Sequence, residues 1–268
     1  MNSIDAIHNN HFIHKEETDI PLFEETFHSL ADEIWLTSNH EATYKSMLDI
    51  QNKHKIPIRA VPLTWSPLFT LNNGIQYKYQ HHAKADTFNL IIMEPNSSYC
   101  KNALMPLVIA EAFYMKHKEC INKVYLFGSI SKEAEAMINT LSIVKDSKLR
   151  KIGRMPINDI LKFFCFTEPK HKLAVLSHNI QCPLNYAYYD IMNVGIPFVH
   201  NSNILESKHL GFYYNTVTDA VYHLERIYTS FDAIQYNKTI QSELARIDPY
   251  NDKIINYFDS LVSKNQVK

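Results

Sequence analysis

The chain has 268 residues, 46% of them hydrophobic and 21% charged, with 27 Lys and Arg against 28 Asp and Glu for a formal net charge of −1. That length holds one or two domains with ample material for a core, and the balanced charge argues against a general polyanion or nucleic-acid binder. Only five glycines are present (Gly74, Gly128, Gly153, Gly195 and Gly211), no two closer than sixteen residues, which excludes a G-x-G-x-x-G fingerprint, a P-loop and a G-x-S-x-G nucleophile elbow.

In chain order, residues 1–20 are polar, histidine-bearing and aperiodic. The segment 21–33 predicts a short amphipathic helix with Leu22, Phe23, Phe27 and Leu30 on one side. EIWLTS (33–38) predicts a strand, HEATYKSMLDIQNKH (40–54) a helix capped by Ser38 or Asn39, and IPIRAVP (56–62) a second strand. This is one β-α-β unit with a helix long enough for a parallel crossover. Residues 63–85 lack a period and carry Pro67, Asn72, Asn73 and Gly74, so they are the linker candidate.

Beyond it strands and helices alternate. Strands are predicted at 87–95, 123–129, 149–155, 172–179 and 195–201, and helices at 101–119, 131–142, 156–166 and 184–194. Pro156 is placed at the first helical position, where its missing N–H costs nothing, and Gly195 at the left-handed stop of its helix. Two helices close the chain, near 216–230 and 233–265. The pattern predicts an α/β fold, a Rossmann-like parallel sheet with helices on both faces, preceded by a partial N-terminal β-α-β segment over 1–66.

The four cysteines (Cys100, Cys120, Cys165 and Cys182) form no C-x-x-C pair, so neither a zinc knuckle nor a disulfide framework is expected. The start MNSIDAIHNNHFIHKEE holds no apolar signal segment, and no apolar run approaches a membrane-spanning length, so a cytoplasmic location is expected. The fourteen histidines show no ligand spacing beside a carboxylate, so no metal is expected.

Ligands on open parallel sheets sit outside the carboxyl ends of the strands. After the strand at 87–95, EPNSSYCKN (94–102) brings Glu94, Asn96 and Lys101 to a helix start, a place that attracts phosphate oxygens. An ordinary polar loop capped by Ser97 or Ser98 has the same sequence. GRMPINDILKFF (153–164) is a tight turn at Arg154 and Met155 whose backbone can face a nucleobase edge, as any strand-to-helix turn can. The segment 177–202 is the richest. His178 and Asn179 end a strand, and Asn185, Tyr186 and Asp190 lie on the next helix. His200, Asn201 and Ser202 return polar groups to the same rim. Asn185 and Tyr186 suit a diphosphate or sugar hydroxyls, and Asp190 suits the diol of a ribose. Read without a ligand, Tyr188, Tyr189, Ile191 and Met192 are core packing and Asp190 is a capping or solvated carboxylate.

Three segments taken together resemble the C-terminal, donor-binding domain of glycosyltransferases with two Rossmann-like domains, the GT-B architecture. LRKIGRMPINDILKFF resembles the strand–turn–helix whose turn faces the nucleobase. LNYAYYDIMNVGIPFVHNS resembles the helix–Gly–Ile-Pro–strand segment in which an acidic residue five before the glycine holds the donor ribose; here that residue is Asp190, with Gly195 and Pro197 in register. WLTSNHEATYKSML, IPIRAVPLTWSPLF, MEPNSSYCKNALMPLVIAEAFY and PLNYAYYDIMNVGIPFVHNS are similar to a poorly characterised bacterial family of unknown function with glycosyltransferase-like halves. The chain departs from the retaining enzymes' Glu–seven residues–Glu pattern, with Cys182 at the first position and Asp190 at the second.

The resemblance implies a metal-independent glycosyltransferase. It would move a sugar from a nucleotide-sugar donor, a substrate rather than a cofactor, to a glycan or lipid-linked acceptor. Glu94, Asn96, Lys101, Asn185 and Tyr186 would meet the diphosphate, the Arg154–Met155 backbone the base, Asp190 the ribose, and His178, His200 and Asn201 the sugar or phosphates. His40, Trp65 and Ser66 would line the cleft opposite, with His40 and Glu41 the candidates for a general base. Residues 1–62 look like only the last portion of an acceptor domain, which leaves room for a second expectation: a noncatalytic nucleotide-sugar-binding or scaffolding subunit completed by a partner chain or a second copy. A hydrolase on the same sheet is a third.

Overall fold

A computed structural model describes residues 32–37, 55–67, 78–81, 84–94, 101–130, 132–167, 170–180 and 184–265. The chain divides into two units, Met1–Leu63 and Thr64–Lys268. In the first, the two apolar runs form parallel strands β1 (Ile34–Thr37) and β2 (Ile58–Val61), with Ile34 opposite Ile58 and Leu36 opposite Ala60. Glu33 ties them through its carboxylate, which accepts from Arg59 Nε at 2.6 Å and from Trp35 Nε1 at 2.7 Å. The helix predicted at 40–54 and nearly all of that at 21–33 lie outside the described residues, as do His40, Glu41, Asn96, Ser97, Ser98 and Cys182.

The second unit is built on six parallel strands: β3 (Phe88–Ile92), β4 (Ile121–Leu126), β5 (Leu149–Lys151), β6 (Lys172–Leu176), β7 (Phe198–His200) and β8 (Phe212–Tyr213). Their order across the sheet is β5-β4-β3-β6-β7-β8. The chain winds outward from β3 in one direction, then returns to β6 and winds the other way, so the order reverses between β3 and β6. Every residue of β3 and β6 is buried, the mark of strands covered on both faces.

Phe88, Leu90 and Ile92 point to one face. They pack there with α1 (Leu104–Lys116) through Leu107, Ile109, Ala110 and Phe113, and with α7 (Val217–Ser230) through Ala220, Val221, Leu224 and Ile227. Each fully buried side chain of this size contributes about 1.5–3 kcal/mol. The helical spacing of the α7 residues makes its apolar stripe. A capping box fixes the start of that helix: Asp219 N donates to Thr216 Oγ1 at 3.1 Å while Thr216 N donates to Asp219 Oδ2 at 3.0 Å.

The remaining helices are α2 (Lys132–Ile138), α3 (Ser142–Lys145), α4 (Ile157–Lys162), α5 (Tyr186–Asn193), α6 (Asn203–Glu206), α8 (Ala233–Ile247) and α9 (Asp252–Asn265). Several differ from the sequence expectation. The helix predicted from 101 starts only after Ala103, which carries no side-chain cap. The run 131–142 breaks at residues 139–141, and the strand predicted over 149–155 stops at Lys151. Pro156 is the N-cap of α4, with ψ 145, rather than its first helical residue. The last predicted helix is two, because Asp248 precedes Pro249 and takes ψ 127, the extended conformation that a following proline imposes. Gly195 does stop α5 as expected, with φ +88 and its N–H on Met192 O at 2.9 Å.

Candidate functional site

The reversal between β3 and β6 brings two loops together at the carboxyl ends of the strands. Lys101 pairs its backbone with Asn179 in an antiparallel bridge, which joins the loop after β3 to the loop after β6. Beneath that bridge lies a buried polar network. The Ser177 hydroxyl donates to the Glu94 carboxyl and sits 2.8 Å from Tyr188 Oη, and Asn179 Nδ2 contacts the same tyrosine oxygen. Glu94 is 3% exposed. Burial pushes its carboxyl up to about 7, against the opposing pull of the Ser177 hydroxyl, the Lys101 charge and the His178 backbone N–H. Near neutral pH this carboxyl is therefore half protonated, and a proton is held at the switch point of the sheet.

Asn201, after β7, clamps the same loop from the other side. Its Nδ2 donates to Asn179 O and its Oδ1 accepts from Asn179 N, both at 2.8 Å. Asn179 Oδ1 is buried without a hydrogen-bond partner among the described residues. His178 stacks on Tyr214 with ring centroids 6.0 Å apart. Its Nδ1 is 2.9 Å from Tyr214 Oη, which in turn lies 3.0 Å from Ser177 O. The carbonyl can only accept, so the single phenolic proton goes to Ser177 and Nδ1–H donates to the phenol. The neutral ring then keeps its lone pair on Nε2, and burial lowers its pKa below the ordinary value. Replacing Tyr214 by Phe removes the acceptor of Nδ1–H. In ring ¹⁵N spectra recorded above the His178 pKa, the wild type is expected to show a protonated Nδ1 and Tyr214→Phe a mixture rich in Nε2–H. Identical spectra would refute the relay.

Asp190 lies in the middle of α5 and is 8% exposed. Burial pushes its carboxyl up to about 6, moderated by a hydrogen bond from the Trp65 side chain. Trp65, read as a cleft residue at the end of the first segment, belongs to the second unit together with Ser66. The Trp65 ring is 6.0 Å from that of Tyr189, and the Trp65 backbone N–H donates to Ile247 O at 2.9 Å. Asn185 is the N-cap of α5, its Oδ1 accepting from Ala187 N at 3.1 Å, and Tyr186 is exposed on the first turn. On the opposite wing of the sheet, Gly128 N donates to Gly153 O at 3.0 Å, tying the turns after β4 and β5. That holds Arg154 exposed and Met155 half-buried.

Of the expected residues, then, Glu94, Lys101, His178 and Asn201 converge directly, and Asp190, Asn185 and Tyr186 stand on the helix that follows. His200 is different. It is fully buried, its Nε2 donates to Leu210 O at 2.7 Å and its Nδ1 accepts from Ser202 N at 3.1 Å. Burial depresses it to about 4, and both ring nitrogens serve the fold, so none is left for a ligand. Tyr188 and Tyr214 were missed because aromatic residues among apolar neighbours read as core. Their hydroxyls reveal themselves only once the loops are closed. Among the described residues no three His, Cys, Asp or Glu side chains gather to hold a metal, and no helix is long and apolar enough to cross a membrane.

The architecture matches the GT-B glycosyltransferases at low sequence identity. Against TarM, an enzyme also solved from S. aureus, the TM-score is 0.55 at 13% identity over 92% of this chain and 48% of that one. The α,α-trehalose 6-phosphate synthase from Burkholderia multivorans gives 0.59 at 10% identity, over 90% and 62%. The lipopolysaccharide outer core galactosyltransferase WaaB gives 0.55 at 12%, over 87% and 62%. The chain thus spans about half to three fifths of the length of these structures. No curated protein matches it in sequence. Residues 3–262 match the family described as "Protein of unknown function (DUF2827)", and the chain belongs to that family.

Proposed function

We propose that the chain binds a nucleotide-sugar and works as a glycosyltransferase, or as the donor-binding part of one. The observation that carries this reading is the site at the β3/β6 reversal. A polar loop cluster there (Glu94, Lys101, His178 and Asn201) is followed by a helix that carries a buried carboxylate, Asp190, five residues before the helix-stopping Gly195. Sheets of this order bind ligands at that point, and the neighbours in fold are glycosyltransferases.

In this reading the diphosphate lies over Lys101 and the amino end of α5, where helix N–H groups and the lysine charge stabilise the leaving phosphate without a metal. Asp190 accepts from the ribose diol, the turn at Arg154 and Met155 meets the base, and His178 offers its Nε2 lone pair to a sugar hydroxyl or an incoming acceptor. Asn96, together with His40 and Glu41 as general-base candidates, belongs to the same proposal. His200 supports the Ser202 loop from within. The acceptor is a glycan or lipid-linked saccharide, and the protein acts in the cytoplasm.

Titration calorimetry with a panel of nucleoside diphosphates and their sugars tests the shared core of the reading, and no binding to any of them sinks it. Asp190→Ala is expected to weaken nucleotide binding roughly 10- to 100-fold, the worth of hydrogen bonds to a charged acceptor. Unchanged affinity would remove Asp190 from the ribose. A second reading, a noncatalytic donor-binding subunit, is favoured by Cys182 standing where retaining enzymes carry a glutamate. It predicts nucleotide binding with neither donor hydrolysis nor transfer by the purified chain.

A further inference from the structure

The other end of the sheet holds a second cavity, of about 210 Å³. It lies between the start of β8, the last turn of α7 and the first turns of α8, and so at the amino edge of the strands. Lys172, the first residue of β6, confirms that placement by donating from Nζ to Tyr228 O at the end of α7, at 2.7 Å. The cavity is smaller than the roughly 300–1,000 Å³ clefts that take drug-sized ligands, which limits its occupant to about one ring.

Its wall is aromatic on one side and hydrogen-bonding on the other. Phe212 and Tyr236 stack with centroids 5.8 Å apart and planes 6° from parallel, and Phe231 meets Tyr236 at 5.2 Å. The Tyr236 hydroxyl is spent on Ile196 O at 3.1 Å, so the ring alone faces the cavity's chemistry. Arg226, Asp232 and Gln235 line the rest. The Arg226 guanidinium makes no ion pair among the described residues and lies over the Tyr222 ring at 5.8 Å. Asp232 Oδ1 caps α8 by accepting from Gln235 N at 2.9 Å, which leaves its second oxygen available.

We infer that this cavity is a saccharide subsite that takes a single pyranose ring. A guanidinium and a carboxylate at one rim offset each other, so neither an anion nor a cation is favoured as a whole. A purely apolar ligand would strand the charged groups. Sugar hydroxyls satisfy both at once: they accept from Arg226 and the Gln235 amide and donate to Asp232 and the Gln235 oxygen. The C–H face of the ring covers the aromatic side. Because the cavity opens at the amino edge of the sheet, such a sugar binds while the carboxyl-edge site stays free.

The probe set is the methyl glycosides of glucose, galactose and N-acetylglucosamine, titrated into ¹⁵N-labelled full-length chain with and without saturating UDP. At least one is expected to bind in the millimolar range, moving the Phe212, Arg226 and Gln235 signals equally in both conditions. Arg226→Ala and Asp232→Asn, the latter keeping the capping oxygen, are each expected to weaken it tenfold or more with unchanged melting temperature. The inference is overturned if no glycoside moves these signals or if UDP displaces the glycoside. It is equally overturned if Arg226→Ala binds as tightly as wild type, or if free nucleosides bind there in preference to sugars. None of these outcomes bears on nucleotide binding at the carboxyl edge, which UDP alone reports.

Discussion

Gly211→Ala is expected to cost about 3 kcal/mol of stability, more than any other single methyl group added to a described glycine. Gly211 has φ +71, a region that costs an L-residue about 1–2 kcal/mol. A Cβ there would lie 2.7 Å from Phe198 O and 2.8–2.9 Å from the His200 ring, and neither neighbour can retreat. Phe198 is the first residue of β7, and the His200 ring is held at both nitrogens by Leu210 O and Ser202 N. Overpacking of this kind adds about 1–3 kcal/mol. Gly153→Ala is the control, because its φ of +87 imposes the same conformational penalty while nothing lies within 4 Å of the added carbon. Urea unfolding of the two variants should therefore differ by about 2 kcal/mol. Equal losses would mean that the β7–β8 contact gives way. The same contact explains His200: the sequence presents it as a polar residue on the binding rim, yet its ring packs under Gly211.

Much of the second unit was legible because its strands and helices alternate with strong apolar runs. FNLII and KLAVL are buried throughout, and a strand buried on both faces announces itself as an uninterrupted apolar stretch. The candidate site was legible through the same logic, since the strand ends place Glu94, His178 and Asn201 before any contact is known. What escaped were features carried by too few residues to show a period. The two-residue β8 and four-residue α6 exist through their neighbours, not through local preference. The π turn at Phe163–Thr167 that extends α4 has no sequence mark either. Pro249 did carry a signal, and it ends α8 where a proline should. The paired hydrogen bonds from Asn201 to the Asn179 backbone, 22 residues apart, are a tertiary event: two amides that each look like loop residues become a clamp only when β6 and β7 lie side by side.

Glu94→Gln is expected to abolish a pH dependence of stability worth about 3 kcal/mol, from a shift of roughly 2.5 units at 1.36 kcal/mol each. The folded carboxyl titrates at about 7 against an ordinary 4.5, chiefly through burial. Below pH 4.5 both folded and unfolded chains hold the proton and nothing is lost. Between 4.5 and 7 the unfolded chain releases it while the folded chain keeps it, so stability falls as pH rises. Above 7 the loss is complete and the curve flattens. The amide of the Glu94→Gln variant stays neutral throughout and its oxygen still accepts from Ser177, so the variant should be level with the wild type near pH 4.5 and clearly more stable at pH 8. The same proton bears on the proposed ligand, because an ionised Glu94 beside Lys101 repels phosphate and weakens the lysine's pull. Affinity for a nucleotide-sugar, whose phosphate diesters do not titrate in this range, should fall as pH rises through 7. It should fall on the acid side as well, because the buried Asp190 is protonated below about 6 and no longer accepts two hydrogen bonds from a ribose. The resulting bell loses its alkaline limb in Glu94→Gln and its acid limb in Asp190→Asn. A bell that keeps both limbs in both variants would place the titrating groups elsewhere, and a stability slope that survives Glu94→Gln would mean that the carboxyl is already ionised in the folded chain.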